Sequence, residues 1–350
     1  MKAVARMELT PGMTLGEDIV WQNKVLIPAG TVLTAQHIAN MKHYSIMLAT
    51  VMEDADFATT HYEKLRFSDD FRLFEQKHAQ CLSAYKQVIL TFTSGGCPAP
   101  NQELLNIYNE MRATYPNGVK LLDYLYNLMP NEDELTFNHC LNSALIAGFI
   151  AEWSDMDQNG KLELILSGFY YDIGKLQLPY DLLWKPSKLT KEEFNLVMTH
   201  PMIGWNMLRN TGISANILDT VLNHHERMDG SGYPRYLKGS QIGILSRYMA
   251  IADTYTAMAS PRPHRDAFTP LQIIESLERD ISKYDANLLV PLMKHIAEAQ
   301  IGSTVKLNDD SVWDVFLLHP HRFSRPILKN TNQEVLDLAE HPELSITKMV

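Results

Sequence analysis

Residues 224–265 read HHERMDGSGYPRYLKGSQIGILSRYMAIADTYTAMASPRPHR and place ligand-type side chains on both sides of a glycine-rich loop. The stretch opens with His224 and His225, and an apolar run after the loop ends at Asp253. Imidazole and carboxylate groups are ligands that borderline metal ions accept. Adjacent side chains on a helix point about 100° apart, so both histidines can reach one ion only where the helix ends or from different sides of the ion. The glycines of the loop predict such an end, and a polar helix end without metal is the alternative for the histidine pair alone.

Three more candidate ligands lie upstream, each at or inside an apolar segment. His139 lies in FNHCLNSALIAGFIAEW, Asp172 in LILSGFYYDIGKLQLP and His200 in FNLVMTHPMIGWNML. Buried carboxylates and imidazoles are costly unless they are paired or bind a metal. A single residue of this kind would indicate a core histidine or a helix cap. Several separate segments with the same chemistry favour one metal site instead.

The composition is that of an ordinary globular protein. The chain has 350 residues, 45% of them hydrophobic and 21% charged, which is enough for two or three domains. The formal net charge of −10 argues against general binding to a nucleic-acid polymer or to an anionic membrane. The cysteines, Cys81, Cys97 and Cys140, lack metal-site spacing and predict reduced thiols in a cytoplasmic protein. The N-terminus has no apolar core typical of a signal peptide, and no apolar run has the length of a membrane span.

The order and spacing of these motifs resemble the HD-GYP family. The matching features are His139, YDIGK at 171–175, HP at 200–201, HHE at 224–226 with DGSGYP after it, and Asp253 with RPHR after it. The resemblance covers residues 133–284, including KPSKLTKEE and RYLKG. Proteins of this family are metal-dependent phosphodiesterases of the HD superfamily that hydrolyse cyclic di-GMP. One departure matters, because the pair that gives the HD superfamily its name is degenerate here and reads Tyr171-Asp172.

The resemblance implies two divalent metal ions that share Asp172, with iron or manganese favoured over magnesium, zinc or nickel. One ion would be held by Asp172, His200, His224 and His225. The other would be held by His139, Asp172 and Asp253. Tyr171 occupies a degenerate ligand position and leaves this second ion with three protein ligands. A phenol has a pKa near 10 and is a poor ligand for Mn²⁺ or Mg²⁺, so we expect Tyr171 to pack or to hydrogen-bond nearby.

The resemblance also assigns contacts to the substrate. Lys175 would act catalytically beside Asp172, close to the scissile phosphate, whereas a surface lysine on a helix is the alternative. Tyr233 of the GYP loop would offer a ring or a hydroxyl, and Arg262 and Arg265 would bind phosphate. Thr256 replaces an aspartate that is common in the family, which is a second departure. Glu226 and Asp229 are expected to orient the histidines as hydrogen-bond acceptors.

The chain divides into four regions. Residues 1–60 read as a small N-terminal domain of short strands, a turn at Ala29–Gly30, a short helix and a final strand, which serves as a packing or dimerisation module or as a sensory input. Residues 61–130 form a helical linker or packing region that breaks at Ser94–Pro100, with His61 and His78 solvated. Residues 131–300 form the HD-GYP-like phosphodiesterase domain.

Residues 301–350 form a β tail with a hairpin around Asn308–Asp310. His319 and His321 are expected on its surface, and the terminal segment HPELSITKMV is expected to be partly flexible. The sequence therefore predicts a mainly α fold, in which an HD-superfamily helical domain carries a small mixed α/β N-terminal domain and a short β C-terminal tail.

The predicted function is metal-dependent hydrolysis of cyclic di-GMP to pGpG or GMP, weakened by Tyr171. The alternative is a catalytically degenerate receptor that binds cyclic di-GMP, or a GGDEF-type diguanylate cyclase partner, without turnover. Tyr171 and Thr256 favour the receptor, whereas the retained ligands, Lys175 and the intact GYP loop favour the enzyme. A phosphohydrolase for another substrate is disfavoured by the GYP loop. A homodimer is expected.

Overall fold

The computed structural model describes residues 2–22, 24–52, 65, 68–95, 98–115, 118–128, 134–183, 185, 187–260 and 267–349. Helices dominate these residues, which confirms the predicted mainly α fold. Among the same residues, strands occur only toward the two ends of the chain.

The N-terminal unit contains a three-stranded sheet of order β1-β5-β2, a separate β3-β4 hairpin and one helix. Its elements are β1 (Lys2–Ala5), β2 (Thr14–Leu15), β3 (Ile19–Trp21), β4 (Lys24–Ile27), α1 (Ala35–His43) and β5 (Leu48–Met52). Thr34 caps α1 by accepting the amide of His37. Gly30 has a φ of +79° in the predicted turn, a conformation that costs glycine little. The unit has its own apolar core, separate from that of the helical domain.

Three helices follow: α2 (Asp69–Thr93), α3 (Asn101–Arg112) and α4 (Gly118–Asn127). Their apolar faces belong to the same core as the helices after them. These helices therefore do more than link two domains, and where the functional domain begins stays a prediction. His61 lies outside the described residues. The expected solvation of His78 is wrong, because its ring is buried and its Nε2 lies 2.7 Å from Asn142 Oδ1.

The helical domain is built around α5 (Leu135–Glu152), in which every residue from Phe137 to Ala151 is buried. A helix that is apolar on all sides takes the centre of a core. Helix α6 (Gln158–Tyr170) packs closely on it, since a Cβ at Gly168 would overlap the backbone of Ala144. Within the described residues, no helix combines the length and the apolarity that crossing a membrane requires.

The remaining helices of this domain surround α5 and α6. They are α7 (Tyr180–Leu183), α8 (Lys191–Val197), α9 (His200–Leu208), α10 (Ala215–Asn223), α11 (Ile244–Ala259), α12 (Pro270–Arg279) and α13 (Ala286–Glu298). Thr190 caps α8 and Thr269 caps α12, each in a reciprocal capping box.

The C-terminal region is a five-stranded antiparallel sheet of order β10-β6-β7-β8-β9. The strands are β6 (Thr304–Leu307), β7 (Val312–His319), β8 (Arg322–Lys329), β9 (Val335–Asp337) and β10 (Ile346–Met349). The pairing of β6 with β7 confirms the predicted hairpin. The expected flexibility of the terminal segment is wrong for Ile346–Met349, because this strand pairs with β6 and buries Ile346 and Met349.

Candidate metal centre

All of the ligand candidates predicted from the sequence meet at one place in the helical domain. His139 lies on α5, Asp172 lies just beyond Tyr171 at the end of α6, and His200 begins α9. His224 and His225 follow α10, and Asp253 lies on α11. Their nitrogen and oxygen atoms form two groups, each with all of its atoms within 4.8 Å of one another: Asp172 with His200, His224 and His225, and Asp172 with His139 and Asp253.

Two histidines of the first group have fixed ring orientations. His200 Nδ1 lies 2.7 Å from the carbonyl oxygen of Val197, and His224 Nδ1 lies 2.9 Å from that of Val221. A carbonyl oxygen only accepts hydrogen bonds, so each Nδ1 carries a proton, which leaves Nε2 as the nitrogen that can offer a lone pair to a metal ion. The two Nε2 atoms face each other at 3.3 Å.

Asp172 completes this first group from the end of α6. Its carboxylate is fully buried, and Oδ1 lies 3.0 Å from His200 Nε2 and 3.7 Å from His224 Nε2. Burial alone would raise the pKa of Asp172, but the charge of Lys175, the largest opposing cause, holds that pKa well below its usual range. A charged carboxylate oxygen and two imidazole lone pairs therefore point at one another. These atoms repel one another unless a cation lies between them, so the residues fit a metal ion.

The backbone at YDIGK explains why Asp172 reaches the histidines. Helix α6 ends at Tyr170, and a 3-10 turn runs over Ile173–Gln177 against α9. A Cβ at Gly174 would overlap the carbonyl of His200 and lie 2.7 Å from the amide nitrogen of Gly204. Glycine at this position therefore lets the turn and the start of α9 come close enough to pair Asp172 with His200.

The second group is buried beside the first. His139 Nε2 lies 3.0 Å from Asp253 Oδ1 and 3.7 Å from Asp172 Oδ2. Burial lowers the pKa of His139, so the ring is neutral at neutral pH. Its Nε2 donates to Asp253 Oδ1, and a bound metal ion would take the place of that proton. Burial would raise the pKa of Asp253, yet its hydrogen bond to His139 and the nearby His225 lower it, which keeps the carboxylate charged.

Tyr171, at the degenerate ligand position, is part of this second group through a hydrogen bond. Its fully buried hydroxyl lies 3.1 Å from Asp253 Oδ1, to which it donates, and 2.9 Å from Ser143 Oγ. Burial raises its pKa well above 10, and the charges of Asp253 and Asp172 raise it further. The phenol therefore stays protonated, and the expected hydrogen bond nearby is confirmed. The ring packs edge-on against that of His224, with 4.8 Å between the centroids.

The GYP loop lies over His225. The Tyr233 ring stacks on the His225 ring with 4.6 Å between centroids and 27° between planes. The expected role of Glu226 is wrong, because its carboxylate accepts the backbone amides of Arg235 and Leu237. Glu226 thus shapes the loop, while backbone carbonyls orient His200 and His224.

Asp229 and Thr256 likewise bond locally. Asp229 accepts hydrogen bonds from the amide and hydroxyl of Ser231, so its expected role as an acceptor for the histidines is also wrong. The hydroxyl of Thr256, at the second departure from the family pattern, donates to the backbone carbonyl of Ala252. Neither side chain thus supplies a group to the metal centre.

A cavity of about 450 Å³ opens onto the second group. Its polar end is formed by His139, Asp172 and Lys175, and the ammonium of Lys175 lies 2.5 Å from Asp172 Oδ2. Its other walls are mainly apolar and include two further lysines, Lys185 and Lys188. The remaining wall residues are Leu135, Thr136, Leu182, Leu183, Ser187, Leu189, Phe194 and Val197. Sequence reasoning missed these wall residues, although the lysine spacing in KPSKLTKEE was a usable signal. Arg262 and Arg265 lie outside the described residues.

Residues 123–288 match the family model of the HD domain. The cyclic di-GMP phosphodiesterase PA4108 from Pseudomonas aeruginosa is 31% identical over 202 residues, which cover 57% of this chain and 49% of that protein. The 3'3'-cGAMP-specific phosphodiesterase 1 from Vibrio cholerae is 31% identical over 156 residues, which cover 45% of this chain and 36% of that protein.

The structure of Bd1817, a HDG"Y"P protein from Bdellovibrio bacteriovorus, is a distant likeness. It has 13% identity and a TM-score of 0.42, and the match covers 85% of this chain and 97% of that one. The chain spans about half or less of the length of the two curated relatives named above.

The helical core and the two buried ligand groups define an HD domain that is able to bind metal. With the GYP loop beside that centre, the chain is similar to the HD-GYP family, with its HD pair written Tyr171-Asp172.

Proposed function

We propose that this protein is a phosphodiesterase that hydrolyses cyclic di-GMP to pGpG or GMP with two divalent metal ions. The observation that carries the proposal is the pair of ligand groups that share Asp172 at the polar end of a lysine-containing cavity. Metal-dependent phosphodiester hydrolysis uses this combination of charges: cations for the substrate and buried ligands for metal ions.

In the proposed site, the first ion binds Asp172, His200, His224 and His225. The second binds His139, Asp172 and Asp253. When bound, the ions would supply an activated water and stabilise the negative charge that develops on the phosphate. The chain's own contribution is that burial keeps His139, His200 and His225 neutral while Asp172 and Asp253 stay charged, so that these ligands are ready at neutral pH. Iron and manganese suit such a mixed imidazole and carboxylate set.

Lys175 is the proposed catalytic cation for the scissile phosphate. Its side chain lines the cavity and is 19% exposed. Its ammonium group can therefore leave Asp172 Oδ2 and bind a phosphate oxygen of the substrate instead. The net charge of −10 means that an anionic substrate depends on local cations of this kind. Arg262 and Arg265 are proposed to add phosphate contacts, and Tyr233 is proposed to add contact area beside His225.

The names of the relatives support a cyclic dinucleotide as the substrate, since one is named for cyclic di-GMP and another for 3'3'-cGAMP. The second candidate function is a receptor that binds the same ligand, or a GGDEF-type cyclase, without turnover. The observation that favours the receptor is Tyr171, because it supplies no ligand and leaves the second group with three protein ligands.

The direct test is turnover by the purified full chain. We expect slow but measurable cleavage of cyclic di-GMP in Mn²⁺ or Fe²⁺, with pGpG or GMP identified by chromatography, and none in excess chelator. Incubation with 3'3'-cGAMP under the same conditions measures the preference between the two ligands. Protein that carries two metals, binds cyclic di-GMP tightly and returns it uncut after prolonged incubation would rule out the enzyme and support the receptor.

Lys188 offers a test of where the substrate lies. It lines the cavity, whereas Lys185 in the same wall is neutralised by Glu193 at 2.6 Å. Among the described residues, no carboxylate lies within ion-pair distance of Lys188. We expect Lys188→Gln to raise KM by about 3- to 10-fold at low salt with kcat unchanged, because a flexible cation would bind ground and transition states alike.

The matched control is Lys191→Gln, in the same lysine-rich tract but outside the cavity. It removes the same charge from the chain, so its KM should stay near the wild-type value. Equal effects of the two substitutions would indicate a general charge effect and would argue against binding in this cavity.

A further inference from the structure

The two ligand groups differ in how their carboxylate is held. Asp172 is held by Lys175 and faces the fixed rings of His200 and His224. Asp253 Oδ1 instead accepts hydrogen bonds from His139 Nε2 and from the hydroxyl of Tyr171. Its second oxygen, Oδ2, lies 3.8 Å from His225 Nδ1.

We propose that Tyr171 is a positioning residue for Asp253 and that it makes the two metal positions unequal. The inference deepens the proposed function and rests on its metal centre. Tyr171 supplies no ligand of its own, but its hydroxyl, held by Ser143, fixes the orientation of Asp253 and thereby supports a weaker second position. The first position has four protein ligands and fills first.

The physical argument begins with what the hydroxyl does to the carboxylate. Carboxylates that ligate a metal are themselves hydrogen-bonded, and removing such an outer partner costs about 10- to 100-fold in metal affinity. Ser143, Tyr171 and Asp253 form a chain of this kind within fully or largely buried surroundings. The hydroxyl is therefore a support for the carboxylate, and its removal should weaken the second position.

The ring of Tyr171 has a separate role, since it packs against His224 of the first group. Tyr171→Phe keeps that ring and removes only the hydroxyl, so it separates positioning from packing. Tyr171→His restores the imidazole that the family pattern has here. The side chain would then bind the second metal ion directly instead of orienting Asp253. The expected order of second-position affinity is thus histidine, then tyrosine, then phenylalanine.

The test is a Mn²⁺ titration of the metal-free full chain, with free Mn²⁺ followed by its solution EPR signal. We expect one tight and one weak class of site in the wild type, and His139→Ala identifies the weak class by removing it. Tyr171→Phe should weaken the weak class by about 10- to 100-fold and leave the tight class unchanged. Tyr171→His should tighten the weak class by about 10-fold or more.

The neighbouring Tyr170 provides a matched control, because it is equally buried but donates to Asn101 Oδ1 at 2.9 Å, away from the ligands. Tyr170→Phe should leave both classes unchanged. Ser143→Ala is a second variant that releases the hydroxyl without altering Tyr171, and it should also weaken the weak class alone.

Unchanged weak-class affinity in Tyr171→Phe, or equal loss in both classes, would overturn the positioning role. So would a wild type whose two positions have equal affinity. These outcomes are distinct from failure of the proposed function, which would appear as a missing tight class, or as two intact classes without turnover.

Discussion

Asp172→Asn is expected to lower cyclic di-GMP hydrolysis by at least about 10³-fold, which corresponds to about 4 kcal/mol of barrier. Asp172 is the one residue that belongs to both ligand groups, so the substitution removes a charged ligand from each of them. Asparagine keeps the shape of the side chain but carries no charge at any pH. Metal analysis after dialysis should therefore find both positions depleted, in parallel with the loss of turnover.

Asp157→Asn is the control for this substitution. Asp157 caps α6 at its other end by accepting the amide of Gly160, and asparagine caps helices about equally well. Its metal content and turnover should match those of the wild type. Asp172→Asn protein that is folded by circular dichroism and still turns over substrate at a wild-type rate would contradict both the shared ligand and the proposed site.

The convergence of the ligand candidates could be predicted from the sequence because each stands at a place where a polar residue is costly. Asp172 follows an apolar helix, and His139 lies inside a helix that is buried on every side. Buried groups of this kind must be paired or bind an ion, so their chemistry limits where they can lie. The mainly helical fold and the β tail followed from the periodicity of the apolar residues.

The errors arose where a residue's environment depends on distant parts of the chain. His78 has polar neighbours in sequence, but its partner Asn142 is 64 positions away on another helix. Glu226 follows the histidine pair directly, and yet its carboxylate binds amides of the next loop. The strand Ile346–Met349 looked like a free end because the sequence does not reveal that β6 is available to pair with it. The local sequence pattern shows which side chains are polar or apolar, but it does not show which distant residue each one contacts in the fold.

The role of Tyr171 shows the same limit at the site itself. The sequence indicated a lost ligand, and its hydrogen bond to Asp253 depends on a helix packing that brings α6 and α11 together. Ser143, the second hydrogen-bond partner of the Tyr171 hydroxyl, belongs to no recognisable sequence motif. Hydrogen bonds between a ligand and its neighbours can be identified only when the relative positions of the helices are known.

Gly174→Ala is expected to have the second large effect, through geometry alone. The new Cβ would overlap the carbonyl of His200 and crowd the amide of Gly204. Both neighbours are backbone atoms, so no side-chain rotation relieves the overlap, and α9 must move away from the 3-10 turn. Such overpacking costs about 1–3 kcal/mol of stability, and displacing a site by about 1 Å costs on the order of 100-fold in rate.

The measurement for Gly174→Ala is a thermal melt together with metal affinity and turnover. Because His200 lies on the helix that moves, the four-ligand position should lose affinity and the melting temperature should fall. Gly160→Ala on α6 is the matched control, since the nearest atom to its Cβ, Asp157 Oδ1, is 3.2 Å away on a side chain that can adjust. Gly160→Ala should bind metal and turn over like the wild type. If Gly174→Ala bound metal at the four-ligand position as tightly as the wild type, the close approach of the YDIGK turn to α9 would not be what pairs Asp172 with His200.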